Sequence, residues 1–190
     1  LETFGSLENI IETKLALFYN IRPDGFGVYN LDSDILREAV KKRVFTIPLY
    51  TYTMRDEFKA DADIYAEDIM HTRNGLRFNA VFKEGIRIHI ETVLLGKHNV
   101  SNLLGAVLTA HRLGMTADEI KSGIKKITPV EHRLQRIDAG TGVLVLDDAF
   151  NSNYDGAVEA LNVLREIDGN KKIIVTPGFV ELGDEEDRYN

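Results

Sequence analysis

Three short strand-like runs in the middle of the chain constrain the fold most. They cover Asp63 to His71, Leu76 to Phe82 and Ile86 to Val93. Asn74-Gly75 separates the first two, and this dipeptide is the strongest short-range signal for a tight hairpin turn. Glu84-Gly85 serves the second turn. Ile86, Ile88 and Ile90 alternate with Arg87, His89 and Glu91, so the last run has one dry face and one wet face. An antiparallel meander is expected here.

The flanking segments have a different texture. Ser6 is a plausible N-cap for a helix to about Tyr19, with Leu7, Ile10, Ile11, Leu15 and Phe18 as its apolar stripe. Lys14 falls on that stripe, where an apolar residue is expected. Residues 25–30 read as a strand, Ser33 to Lys41 as a helix with Ile35, Leu36, Ala39 and Val40 on one face, and Val44 to Ile47 as a strand ended by Pro48. That order is a βαβ unit and implies parallel strands. After the meander, Val100, Leu103, Leu104, Val107 and Leu108 keep helical spacing from about Asn99 to Leu113. Thr116 and Glu119 form a capping box for the next helix, which Pro129 closes. Beyond it come a buried strand at Val143 to Leu146, a helix at Asp155 to Ile167 and a strand at Ile173 to Thr176. The expected class is α/β: a mostly parallel sheet flanked by helices with the antiparallel meander, then the start of a Rossmann-like α/β domain. The boundary is placed near Thr128 to Glu131, giving domains of 1–130 and 131–190.

Bulk properties exclude some functions. The net charge of −7 argues against a non-specific nucleic-acid binder, which needs a basic stripe. The 190 residues contain no cysteine, so disulfides and thiolate metal sites are excluded. No apolar run reaches membrane-span length and the N-terminus lacks a signal-peptide core, so the cytoplasm is the expected compartment. The chain opens at Leu1 almost directly into a helix and closes on what reads as the beginning of another. A piece of a longer protein is expected.

Two asparagine-rich junctions hold the candidate chemistry. Residues 96–102 read Gly-Lys-His-Asn-Val-Ser-Asn, and residues 147–153 read Asp-Asp-Ala-Phe-Asn-Ser-Asn. An asparagine amide hydrogen-bonds an adenine edge at two atoms at once, so His98, Asn99 and Asn102 at a helix start suit nucleotide recognition. Equally, Asn99 or Ser101 serves as an N-cap. Asp147 and Asp148 end a strand, where open α/β sheets bind ligands; an Asx-turn is the plainer use. Arg133 in the linker suits a phosphate, or is a solvated charge. Lys14 either snorkels to water or is held neutral and takes up carbon dioxide, giving a carbamate able to ligate Mg²⁺. The loop at 178–183 reads as a simple strand-to-helix turn or as a ligand loop, and His71, His89 and His111 as surface or structural residues. The chain as given holds no Gly-x-x-x-x-Gly-Lys-[Ser/Thr] phosphate cradle.

Taken together, these motifs resemble the Mur ligases, the ATP-dependent amide-forming enzymes of peptidoglycan synthesis. Residues 96–102 are similar to the family's G-x-H-N-x-x-N, and Glu131-His132-Arg133-Leu134 to the segment entering its C-terminal domain. Thr13-Lys14-Leu15-Ala16-Leu17-Phe18 resembles the helix whose lysine is carbamylated in several members. Within the family, residues 1–6 and 147–153 are most similar to the type that joins D-alanyl-D-alanine to UDP-N-acetylmuramoyl-tripeptide. Phe150 stands where that type has tyrosine, Tyr154 where it has proline, and Thr176-Pro177-Gly178 where it has Leu-Gly-Asp. The resemblance implies ATP and Mg²⁺ as cofactors and a monomer at full length. It implies nucleotide contacts from His98, Asn99, Asn102, Arg133, Asp148, Asn151 and Asn153, and a metal-supporting carbamate at Lys14. Lys14 and Arg133 are then the residues closest to catalysis. Folylpolyglutamate synthase, a cyanophycin-synthetase-like ligase and a non-catalytic Mur-like nucleotide-binding subunit are the alternatives.

Overall fold

The computed structural model describes residues 5–72, 74–138, 140, 142–150, 154–169, 171–178 and 188. Its main element is a five-stranded sheet in the order β1-β2-β3-β4-β5. β1 (Gly27–Asn30), β2 (Leu49–Thr53) and β3 (Ile64–Thr72) run parallel; β4 (Gly75–Phe82) and β5 (Arg87–Thr92) continue it antiparallel. The meander is therefore the direct extension of the parallel strands. Glycine serves the β4–β5 turn: Gly85 takes φ +91° and donates its N–H to the Phe82 carbonyl at 2.8 Å.

The parallel half is covered on both faces and the antiparallel half on one. Side chains alternate along a strand, so Val28 and Tyr50 face one way while Tyr29 and Leu49 face the other. The first face packs under α3 (Lys97–Arg112), whose Val100, Leu103, Leu104, Val107 and Leu108 are buried. Ile64, Ala66, Phe78, Ala80, Phe82, Ile88 and Ile90 complete that core, with Ile120 and Ile124 of α4 (Ala117–Ile124). Burying each such large side chain contributes about 1.5–3 kcal/mol. On the opposite face, Tyr29 and Leu49 meet a second cluster built on Leu15 of α1 (Leu7–Tyr19) and Ala39 and Val40 of α2 (Asp34–Lys41). Arg87, His89 and Glu91 stay exposed on that side of β5. Close approach of α3 to β2 needs Gly105, since a Cβ there would lie 3.1 Å from the Tyr52 ring.

Local signals explain the helix ends. The Ser6 hydroxyl accepts from Asn9 N–H at 3.1 Å and Ser33 from Leu36 N–H at 3.3 Å. Thr116 and Glu119 form the full reciprocal capping box.

Several expectations are corrected. The second strand is Leu49–Thr53, not Val44 to Ile47. Pro48 immediately precedes the strand instead of ending one: its carbonyl accepts Gly27 N–H at 2.9 Å, while its missing N–H is harmless just outside the ladder. Val44 is 90% exposed. Ile35 and Leu7 leave the buried stripes of their helices, which are narrower than the apolar pattern. Lys14 is exposed, not on the core-facing side. It sits roughly 60° round the helix from Ile11, outside the arc of Ile11, Leu15 and Phe18 that meets the second cluster.

Past α4 the chain forms a small antiparallel pair, β6 (Gln135–Asp138) with β7 (Leu144–Asp147), followed by α5 (Tyr154–Glu166). β6 is not signalled by the sequence pattern. The strand expected at Val143 to Leu146 is present but not buried, since Val143 and Val145 are 61% and 47% exposed. Ile173 to Thr176 carries no strand pairing. A third cluster of Leu95, Leu134 and Val163, lined by Leu146, Ala160 and Ile167, ties this region to the start of α3.

Candidate nucleotide site

The site is the meeting of the α3 start with residues 131–150. Gly96 is the N-cap of α3, at φ +81° and ψ 141°, and supplies no side-chain cap. Neither Asn99 nor Ser101 caps this helix, because it begins at Lys97 and both are already inside it. Two side chains attend to the bare end. The Asn99 amide donates back to the Leu95 carbonyl at 2.7 Å. Glu159, reaching from α5, accepts the Lys97 N–H at 3.3 Å and sets a negative charge against the positive end of the helix dipole. Asn99 and Asn102 share a face, as expected, with the Asn102 side-chain amide donating to Asn99 Oδ1 at a long 3.4 Å. Asn102 and His98 are exposed to solvent. Ser101 accepts from Asn30 Nδ2 at 3.1 Å, fixing the first turn of α3 to the C-terminal end of β1.

The second half is a clasp between residues 131–134 and the end of β7. His132 Nδ1 lies 2.8 Å from Asp147 Oδ2. Phe150 N–H donates to the His132 carbonyl at 3.0 Å. Leu134 N–H donates to Asp148 Oδ1 at 2.9 Å. Between them the Arg133 guanidinium lies 4.5 Å over the Phe150 ring and forms no ion pair among the described residues. His132 and Leu134 both take positive φ, 60° and 47°. The Asp147 carboxylate raises the His132 imidazole above its ordinary pKa, by hydrogen bond first and charge second. The same bond holds Asp147 below the usual carboxylate range, with help from Ala149 N–H.

Leu134 joins the halves. It is 4% exposed, packs with Leu95, and stands so close to Gly96 that a Cβ there would come within 3.0 Å of its Cδ2. Asn99, Asn102, Arg133 and Asp148 are thus gathered around one junction by Leu95–Leu134. Asp148 has one oxygen anchored by the Leu134 N–H, which fixes the orientation of its carboxylate. Asn151, Ser152 and Asn153 lie outside the described residues, as do residues 1–4 and 179–183. Lys14 is not gathered here; α1 packs on the opposite face of the sheet from α3. Among the described residues no three acidic or histidine side chains stand together as a metal shell. Sequence reasoning missed Glu159 and Leu134, whose roles rest on tertiary contacts. No helix among the described residues is long and apolar enough to cross a membrane.

The fold defines an α/β protein of the Mur ligase type, with the junction lying at the C-terminal end of β1. Residues 1–110 match the Mur ligase middle domain, and the chain belongs to that family. A curated relative is the UDP-N-acetylmuramoyl-tripeptide–D-alanyl-D-alanine ligase of Haemophilus influenzae, 29% identical over 97% of this chain. The chain spans 38% of that relative's length. Among solved structures, MurF from Acinetobacter baumannii superposes with a TM-score of 0.77 at 24% identity, over 98% of this chain and 39% of that one. MurF ligase from Thermotoga maritima, solved with ADP, gives 0.77 at 19% identity over 98% of this chain and 41% of that one. At these identities the superpositions establish the shared fold.

Proposed function

We propose that the chain is part of an ATP-dependent ligase that joins D-alanyl-D-alanine to UDP-N-acetylmuramoyl-tripeptide. Residues 1–130 would be the later part of the central ATP-binding domain and residues 131–190 the first part of the C-terminal Rossmann-like domain. The observation that carries this reading is the clasp bringing Arg133 and Asp148 against the asparagine-bearing start of α3. Names of the relatives support the substrate assignment.

In the proposed reaction, the tripeptide carboxylate attacks the γ-phosphate of ATP, giving an acyl phosphate and ADP. The dipeptide amine then attacks the acyl carbon and phosphate leaves. Phosphoryl transfer needs positioning and charge neutralisation more than covalent chemistry. Asn99, Asn102 and Asp148 would fix the nucleoside, and the Arg133 guanidinium, without an anionic partner among the described residues, would meet phosphate charge. The role of Lys14 is separable from folding. Its exposure predicts that Lys14→Ala shifts stability by no more than about 0.5 kcal/mol. Collapse of turnover in that variant, with rescue by short carboxylic acids, is the outcome expected of a carbamylated lysine; unchanged turnover removes it.

The deciding experiment follows phosphate release from ATP by the full-length protein, with UDP-N-acetylmuramoyl-tripeptide, with and without D-alanyl-D-alanine. Release that requires both supports the proposal. Release with another amine keeps the ligase and changes its acceptor. ATP binding without release with any amine would turn the reading to a non-catalytic nucleotide-binding subunit.

A further inference from the structure

Arg133 sits between two residues in a backbone region that side chains avoid. His132 and Leu134 take φ of 60° and 47°. Single left-handed residues of this bulk are uncommon, and each costs of order 1–3 kcal/mol unless the surroundings hold it there. Here the holding contacts are few and identifiable. Leu134 is pinned by burial against Leu95 and by its N–H bond to Asp148. His132 is pinned by its carbonyl, which accepts Phe150 N–H, and by its ring, which meets Asp147. The charged groups around the imidazole are Asp147, at the end of β7, and Glu131, beside it in the chain; Arg133 and Asp148 are the flanking charges.

We propose that His132 is a positioning residue of the nucleotide site: its ring, bonded to Asp147, holds Arg133 and Asp148 where they reach the phosphate and ribose of the nucleotide. This rests on the nucleotide-site reading given above. His132 touches no reacting atom. It acts through Arg133 and Asp148, by keeping the left-handed turn between them closed onto β7. The elevated imidazole pKa extends the pH range over which the cation persists.

The test uses the full-length protein and ATP itself as the probe, with affinity measured by titration calorimetry from about pH 6 to about pH 9. His132→Asn is the informative variant, because asparagine tolerates left-handed backbone and carries no charge. Asp147→Asn removes the other partner. At about pH 6 each variant is expected to bind ATP roughly tenfold more weakly than the natural protein, a loss typical of small misplacements of binding groups. The double variant should lose no more than either single one, the signature of one shared interaction. The gap between the natural protein and His132→Asn should narrow toward pH 9, as the imidazolium discharges. In turnover the loss should fall on KM for ATP, with kcat largely recovered at saturation. Undiminished affinity in both variants, or a loss that does not change with pH, overturns the proposal. Absence of ATP binding by the natural protein would instead overturn the nucleotide-site reading beneath it.

Discussion

Gly96→Ala tests the junction at its tightest point. Two costs add. The residue sits at φ +81° and ψ 141°, a region nearly reserved for glycine, where strain is of order 1–3 kcal/mol. Its new Cβ would also lie 2.6 Å and 2.8 Å from the His98 ring and 3.0 Å from Leu134 Cδ2. The His98 ring is exposed and can swing aside. Leu134 is buried and cannot move without disturbing Leu95 and Val163, an overpacking cost of about 1–3 kcal/mol. Stiffening of the unfolded chain returns about 0.4–1 kcal/mol. The net expectation is a loss of about 1–6 kcal/mol, centred near 3, a large part of a typical folding stability. Gly85→Ala is the internal control: its φ is +91° and nothing stands within 4 Å of the added Cβ, so only the strain applies. Urea midpoints of the two variants should differ by the Leu134 contact, and Gly96→Ala alone should weaken ATP binding. Equal losses in the two would refute the claim that Leu134 locks the α3 start to the clasp.

Three further expectations follow from the same geometry. Phe78→Ala removes one of the largest fully buried side chains, at 1% exposure, and should cost about 3–5 kcal/mol in chemical denaturation; a loss below about 1 kcal/mol would mean the sheet–α3 core is loosely packed. Thr116→Ala deletes the acceptor of Glu119 N–H and should cost about 1 kcal/mol, read as a shift in the urea midpoint. The His132–Asp147 pair should make stability depend on pH. The raised imidazole contributes fully below its ordinary value near 6.5 and loses its contribution as pH rises through the higher folded value. The lowered Asp147 contributes above about 3.9 and loses its contribution as pH falls through the lower folded value. The urea midpoint of His132→Asn should therefore converge on that of the natural protein at high pH; divergence there would contradict the pairing.

Legibility in the sequence followed the range of the forces involved. Ser6, Ser33 and the Thr116–Glu119 box act within one helical turn, and their helices begin where those residues predict. The Asn74-Gly75 and Glu84-Gly85 turns act within four residues, and β3, β4 and β5 follow them. Strand β2 was misplaced because Val44 to Ile47 has high strand propensity, whereas the hydrogen bond from Gly27 to Pro48 sets the pairing five residues later. Lys14 was misread because an apolar stripe in sequence marks which residues are able to be buried, not how wide a neighbour is present to bury them.

The residue types of the site were therefore legible, and its assembly was not. Asparagines at one junction and paired aspartates at another are written locally, although the folded chain also uses them structurally, Asn99 toward the Leu95 carbonyl and Asp147 toward the Ala149 N–H. That Arg133 and Asp148 stand against the start of α3 depends on Leu95 meeting Leu134 across 39 positions of sequence, and on Glu159 reaching the Lys97 amide across 62. Such contacts leave no periodicity or spacing behind. They form because a buried leucine needs a partner and a bare helix end needs a charge, and only the folded chain decides which residues supply them.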